Sequence, residues 1–172
     1  MKPDPPQIRS MTPADLPAVL LIAAACPEAP RWRPSDFQPY LYPTPDSPQA
    51  RTAIVAVSAS RILGFAAATL LLDGQQNRCD LDSIAVLPDA CRRGLGTALL
   101  RAVLAWSAAA GARRLSLEVR AGNTPAIRLY ERFGLRPEGR RPRYYSHPEE
   151  DALLMGITIT SVHETHPFST EK

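Results

Sequence analysis

An α/β sandwich around one mixed β-sheet is what this sequence predicts, from three observations. Strand-type and helix-type segments alternate along the chain, the pattern of helices layered on a sheet. At 172 residues and 45% hydrophobic content, the chain is long enough for one well-buried core and short for two. No internal repeat interrupts the alternation. A single domain is expected over residues 7–160, between flexible termini at 1–6 and 161–172.

The elements follow in order. Pro5–Met11 reads as a short first strand, and Pro13–Cys26 as a helix with Thr12 as N-cap and Pro13 in its first turn. Arg33–Tyr42 reads as a second, short helix, followed by the proline-rich loop Pro43–Gln49. Thr52–Ser58 and Arg61–Leu72, separated by Ala59 and Ser60, form a hairpin, and Cys79–Leu87 is the next strand. The clearest helix places Leu95, Ala98, Leu99, Ala102, Val103 and Trp106 on one buried face and stops at Gly111. Arg113–Val119 alternates, with Leu115, Leu117 and Val119 on one side and Ser116 and Glu118 on the other. The next helix has Asn123 or Thr124 as N-cap, Pro125 at its first position and Gly134 past its end. Asp151–Thr160 reads as the last strand, before a polar tail.

Composition excludes several function classes. No apolar run reaches the ~18 residues of a membrane span, and the N-terminus lacks the order of a signal peptide, so a soluble, cytoplasmic protein is expected. Cys26, Cys79 and Cys91 are odd in number and have no metal-ligand spacing, which supports neither a disulfide framework nor a zinc site. His163 and His166 sit in the tail with no acidic residue placed to complete a metal site, and no metal is expected. A net charge of +3, spread over scattered arginine pairs, lacks the basic stripe with interleaved aromatics of a nucleic-acid binder. The only lysines are Lys2 and Lys172, so no Schiff-base or P-loop lysine is available.

The segment from Ser83 to Leu104 holds the main functional signal. An apolar strand end, Ile84-Ala85-Val86, leads through a Pro-Asp turn to Arg92, Arg93, Gly94, Leu95, Gly96 and Thr97, where the long helix opens without an acidic residue. The first N–H groups of a helix have no helical partner and lie at its positive end, so this loop is built to hold an anion, and a phosphate fits it. A Walker A loop fails for want of the lysine. A Rossmann fingerprint has the right spacing in Gly94 and Gly96, with Glu118 where a ribose-binding acid would lie. Against it stand bulky Leu99 in place of the third small residue and the six residues Pro88–Arg93 between strand and glycines.

Ile84–Leu100 resembles the acetyl-CoA-binding segment of the GCN5-related N-acetyltransferases, whose loop reads Gln or Arg, two residues, Gly, one residue, Gly or Ala. The glycines match as Gly94 and Gly96, and the first position falls on Cys91. Leu115–Leu135 and Gly139–Ile157 resemble segments of the RimI-like protein N-terminal acetyltransferases, and Pro30–Phe37 is similar to their Pro-Trp-Ser entry to the second helix, with Arg31 inserted. The resemblance runs from about Ile8 to Ile159. It implies a mixed, mostly antiparallel sheet with helices on both faces and splayed fourth and fifth strands, here Cys79–Leu87 and Arg113–Val119, commonly aided by a bulge in the fourth. It also implies acetyl-CoA as cofactor, its pantetheine arm pairing near Ile84, Ala85 and Val86 as an added strand would.

The same resemblance assigns roles. Glu118 matches the general base, acting through water, and Tyr130 the general acid that protonates the coenzyme's sulfur. Residues alone also allow a solvated Glu118 and a core Tyr130; Asn123 is a helix cap and, by resemblance, a coenzyme contact. Trp32, Tyr144 and Tyr145 resemble positions at a peptide groove, with packing of the second helix or a place in a hairpin as the alternatives. The implied acceptor is the α-amine of a protein N-terminus, on a ribosomal protein by the family's name, for a monomer or weak dimer that binds neither nucleic acid nor membrane. A small-molecule amine and a non-catalytic acyl-CoA-binding module are the other readings.

Overall fold

The computed structural model describes residues 6–160; the polar tail with His163 and His166 lies outside the described residues. Seven strands, β1 (Gln7–Ser10), β2 (Gln49–Ser58), β3 (Arg61–Leu71), β4 (Arg78–Val86), β5 (Arg114–Arg120), β6 (Arg136–Ser146) and β7 (Glu149–Thr158), form one sheet there. Its order is β1-β2-β3-β4-β5-β7-β6, antiparallel throughout except for the parallel pair β4 and β5. The α-helices are α1 (Leu16–Ala25), α2 (Gln38–Leu41), α3 (Leu95–Ala109) and α4 (Thr124–Arg132). None of the described helices is long and apolar enough to cross a membrane.

Helices cover both faces of the sheet, as expected. On one, Leu99, Leu100 and Val103 of α3 close over Ala66, Ala68, Leu81, Leu115 and Leu117. On the other, Val19 and Ile22 of α1 join Phe37 against Val55, Phe65 and Ala85. Full burial of a side chain such as Leu99 contributes about 1.5–3 kcal/mol. The β2–β3 hairpin turns at Ala59 and Ser60, which both take positive φ, +47° and +63°, as a two-residue turn matched to strand twist requires.

Three local features differ from expectation. The first helix opens with a 3₁₀ turn at Pro13–Asp15, and α1 itself starts at Leu16. There Asp15 accepts from the Thr12 N–H at 2.7 Å and from its hydroxyl at 2.8 Å, while Arg9 grips the same carboxylate at 2.7 and 2.8 Å. The second helix is likewise split, a 3₁₀ turn at Pro34–Phe37 leading into α2. Third, β6 is a strand where periodicity showed none. It is a solvent-exposed edge strand, defined by its pairing with β7.

The sheet opens between β4 and β5. They pair only from Arg78–Asp80 to Arg114–Ser116 and then diverge. On its other side β4 carries a bulge: Ala67 faces Ser83 and Ala68 faces Leu81, so Asp82 is the extra residue. The bulge reverses the strand's facing. Cys79 and Leu81 pack under α3 before it, Ile84 and Val86 take that side after it, and Ala85 joins the α1 side.

Candidate active site

The gap between β4 and β5 holds a cavity of about 660 Å³. Its walls are Leu81–Val86 of β4 and Leu117–Arg120 of β5; the loop from Cys91 to Thr97 borders one end, and Asn123, Ala126 and Tyr130 border the α4 side. Glu28 after α1 and Tyr145 of β6 complete the rim.

At the loop, Gly94 caps α3 with φ +81°, in the left-handed region, and α3 opens with no acidic residue in its first turn. A Cβ at Gly94 would meet nothing within 4 Å among the described residues, so glycine is needed there for its dihedral and not for space. Gly96 differs: a Cβ would lie 3.2 Å from Leu129 Cδ2, so this glycine admits α4 against α3. Arg92 faces the cavity, whereas Arg93 donates to the Asp89 carbonyl at 3.1 Å and is not among the lining residues. Cys91 is exposed at the mouth, its thiol on the Leu87 carbonyl at 3.4 Å, and the Cys26 thiol bonds the Val86 carbonyl at 3.2 Å. Burial pushes the Cys26 thiol upward, with Cys91 adding to it.

Further along, Glu118 leaves β5 on the face opposite Leu117 and ion-pairs with Arg141 of β6 at 3.2 Å. Tyr130 of α4 is 5% exposed and lines the cavity. Burial, with the neighbouring Tyr145 adding, raises the Tyr130 phenol well above its ordinary value, so it keeps its proton at any physiological pH. Tyr145 is pushed up to about 12 by burial and by Tyr144, against the opposing charge of Arg120. Asn123 caps α4, its Oδ1 accepting from the Ala126 N–H at 3.2 Å, and also lines the cavity, so both roles expected of it are open.

Of the aromatic residues expected at a peptide groove, Tyr145 alone lines this cavity. Trp32 packs on Phe37 at 4.5 Å and Tyr40 at 5.5 Å and borders a second cavity of about 480 Å³ beside α2. Tyr144 lies outside, exposed, edge-on to Tyr145.

Sequence reasoning missed Arg120. It is buried, pairs with Glu150 at 3.1 Å and Glu28 at 3.7 Å, bonds the His147 and Pro148 carbonyls, and stands 4.2 Å over the Tyr145 ring. Glu150 also accepts from the Gly122 N–H, so this one guanidinium ties β5, the β6–β7 turn and the loop after α1 together around the rim. Asp82 was missed too. Its Oδ2 accepts from Tyr40 Oη and Thr69 Oγ1, each at 2.8 Å, and burial raises its carboxyl despite those bonds.

A parallel strand pair that splays beside a helix N-terminus is the arrangement of a cleft for a phosphate-bearing, strand-like ligand. The model of the Acetyltransferase (GNAT) family matches residues 18–135. The chain belongs to the GNAT acetyltransferase family. This acetyltransferase is 33% identical, over 88% of its own length and 95% of the relative's, to a Bacillus subtilis protein named putative ribosomal protein bS18-alanine N-acetyltransferase. The crystal structure of the Escherichia coli ribosomal-protein-S18-alanine N-acetyltransferase superposes with TM-score 0.74 at 30% identity, covering 95% of this chain and 99% of that one. Arabidopsis thaliana NAA60, solved in complex with acetyl-CoA, shares the fold at TM-score 0.79 and 22% identity over 90% of this chain and 98% of its own. The protein is an enzyme, an N-acetyltransferase with acetyl-CoA as donor. The chemistry of the loop fits that donor: the N–H groups that open α3 have no helical partner, Arg92 lines the same cavity, and the first turn carries no acidic residue.

Proposed function

We propose that this acetyltransferase acetylates the α-amine of a protein N-terminus, with a ribosomal protein as substrate, in the cytoplasm. The observation that carries this reading is the end-to-end likeness to the E. coli enzyme named for ribosomal protein S18 alanine. An α-amine titrates near pH 8 and a lysine near 10.4, so at neutral pH a modest base suffices for the former.

In this reading the N–H groups of Gly94–Thr97, with Arg92, hold the pyrophosphate, and the free edge of β4 at Ile84–Val86 receives the arm. Glu118, held by Arg141, takes the acceptor's proton through water. The amine nitrogen then attacks the thioester carbon, the C–S bond breaks as the N–C bond forms, Tyr130 protonates the departing thiolate, and the second proton shed by the new amide nitrogen passes through water to restore the Tyr130 phenol. Each proton transfer contributes about 10²- to 10⁴-fold in rate. Trp32 and Tyr144 stay away from the reacting groups, and Tyr145 forms the wall against which the acceptor chain lies.

A free-thiol release assay tests the acceptor. Short peptides with free N-termini, including the start of bS18, are expected to turn over faster than a panel of polyamines, amino acids and aminocyclitols. Turnover confined to small amines would replace this reading with the small-molecule one.

A further inference from the structure

The bulge of β4 sets two consecutive side chains, Asp82 and Ser83, on the α1 side of the sheet, at the inner end of the cleft. Ser83 is a residue of the cavity wall, 4% exposed, and its buried hydroxyl has no hydrogen-bond partner among the described residues. A buried, unpaired hydroxyl is costly, and its usual explanation is a ligand or water that satisfies it.

Asp82 is its complement. Both of its bonds, from Tyr40 and Thr69, fall on Oδ2, which leaves Oδ1 with its lone pairs. The other carboxylates at the rim are engaged, Glu118 by Arg141 and Glu28 and Glu150 by Arg120. Asp82 has no ion pair among the described residues, and Asp80 beside it adds negative potential while Arg51, over the Tyr40 ring, opposes it.

Position decides what these groups meet. A donor whose phosphates sit at the head of α3 runs its arm back along β4 past Val86, Ala85 and Ile84, so its acyl end arrives beside Ser83. We infer that Asp82 and Ser83 form the subsite for the acceptor's ammonium, an inference that rests on the placement of the donor in this cleft. The Ser83 hydroxyl accepts one N–H and Asp82 Oδ1 a second, leaving the third for the base across the cleft. The class of ligand is a primary ammonium at the end of a chain; a neutral nucleophile of the same shape is discriminated against.

The test compares an acceptor with its counterpart bearing a hydroxyl in place of the amine, both titrated into the enzyme–CoA complex. Wild type is expected to prefer the amine by about tenfold or more, and Asp82→Asn, which keeps the side chain's size, to lose most of that preference. The KM for the acceptor rises in step while the KM for acetyl-CoA stays within about twofold. Ser83→Ala removes a hydroxyl that bonds nothing among the described residues; its melting temperature stays near wild type while acceptor KM rises about fivefold or more. Unchanged amine preference in Asp82→Asn, or unchanged acceptor KM in Ser83→Ala, would overturn the subsite. Should only small amines be substrates, the N-terminal reading fails and the same comparison on that amine still decides the role of Asp82.

Discussion

Replacing Gly94 with alanine isolates what the loop's backbone does. Gly94 stands at φ +81° at the head of α3, and a Cβ there meets no atom of the described residues within 4 Å. Nothing collides, so the entire cost is conformational, about 1–2 kcal/mol for an L-residue in the left-handed region. Either the chain carries that strain, or the loop relaxes and withdraws the N–H groups of Leu95–Thr97 from the phosphate. Relaxation weakens acetyl-CoA binding by about 5- to 30-fold. Retained strain lowers the melting temperature by about 2–4 °C per kcal/mol for a chain of this size. Calorimetric titration with acetyl-CoA and thermal melting, run on the same preparation, apportion the two. Gly96→Val is the contrast: its first carbon already lies 3.2 Å from Leu129 Cδ2, so overpacking between α3 and α4 costs about 1–3 kcal/mol and appears in the melt as well as in affinity. Wild-type affinity together with a wild-type melting temperature in Gly94→Ala would refute the reasoning that the head of α3 depends on glycine's dihedral.

The remaining predictions concern proton transfer and pH. Glu118→Gln is expected to cut kcat at neutral pH by about 10²-fold or more with acetyl-CoA affinity intact, and unchanged turnover would remove Glu118 from the mechanism. Tyr130→Phe is expected to slow thiolate departure while leaving both substrates bound; a full-rate variant would mean that water supplies the proton. Asp15→Asn is expected to destabilise the fold by about 1–2 kcal/mol at pH 7, allowing for the partial exposure of its partner Arg9. The Arg9 guanidinium holds the Asp15 carboxyl well below the usual carboxylate range. Its contribution is therefore complete above about pH 4, shrinks as the unfolded chain's carboxyl takes up a proton, and vanishes below the folded value. Denaturant melts of the two proteins should converge on acidification, and a gap independent of pH would sink the linkage.

What could be read from the sequence was whatever one segment states by itself. The alternation of Leu115, Leu117 and Val119 and the Asn123 cap depend on neighbours a few residues away and stand as expected; on α3, Leu95, Leu99 and Val103 are buried as expected, while Ala98, Ala102 and Trp106 are only half-buried and Leu100 and Ser107 complete the buried face. Helices on both faces and the splay of β4 from β5 came from the family resemblance and also hold. β6 was illegible because an exposed edge strand carrying Pro137, Gly139 and Pro142 has no buried side to impose a period of two. Arg120 escaped because its partners Glu28, His147 and Glu150 are brought to it only by tertiary structure. The second demand on Gly96 was hidden for the same reason: it lines the cleft, and the atom nearest its missing Cβ belongs to Leu129, which the chain brings to it only in the fold.

The bulge at Asp82 resolves two demands on β4 that a regular strand cannot meet together. Its first half must seal the core beneath α3 and pair with β5, which Cys79, Leu81 and the Arg78–Asp80 register do. Its second half leaves the edge toward β5 unpaired, the edge proposed above to receive the donor's arm, while still sending Ile84 and Val86 into the same core. In an unbroken strand, alternation carried on from Leu81 would send Ser83 and Ala85 beneath α3 and turn Ile84 and Val86 to the other face, because one residue of slip exchanges the faces. Inserting Asp82 restores the apolar side beyond it and leaves a doubled polar step, Asp82 and Ser83, at the point where the strands part. The distortion at the mouth of the cleft therefore also furnishes it, and in the donor placement proposed above the acyl end meets the polar pair at the point where the strand changes partners.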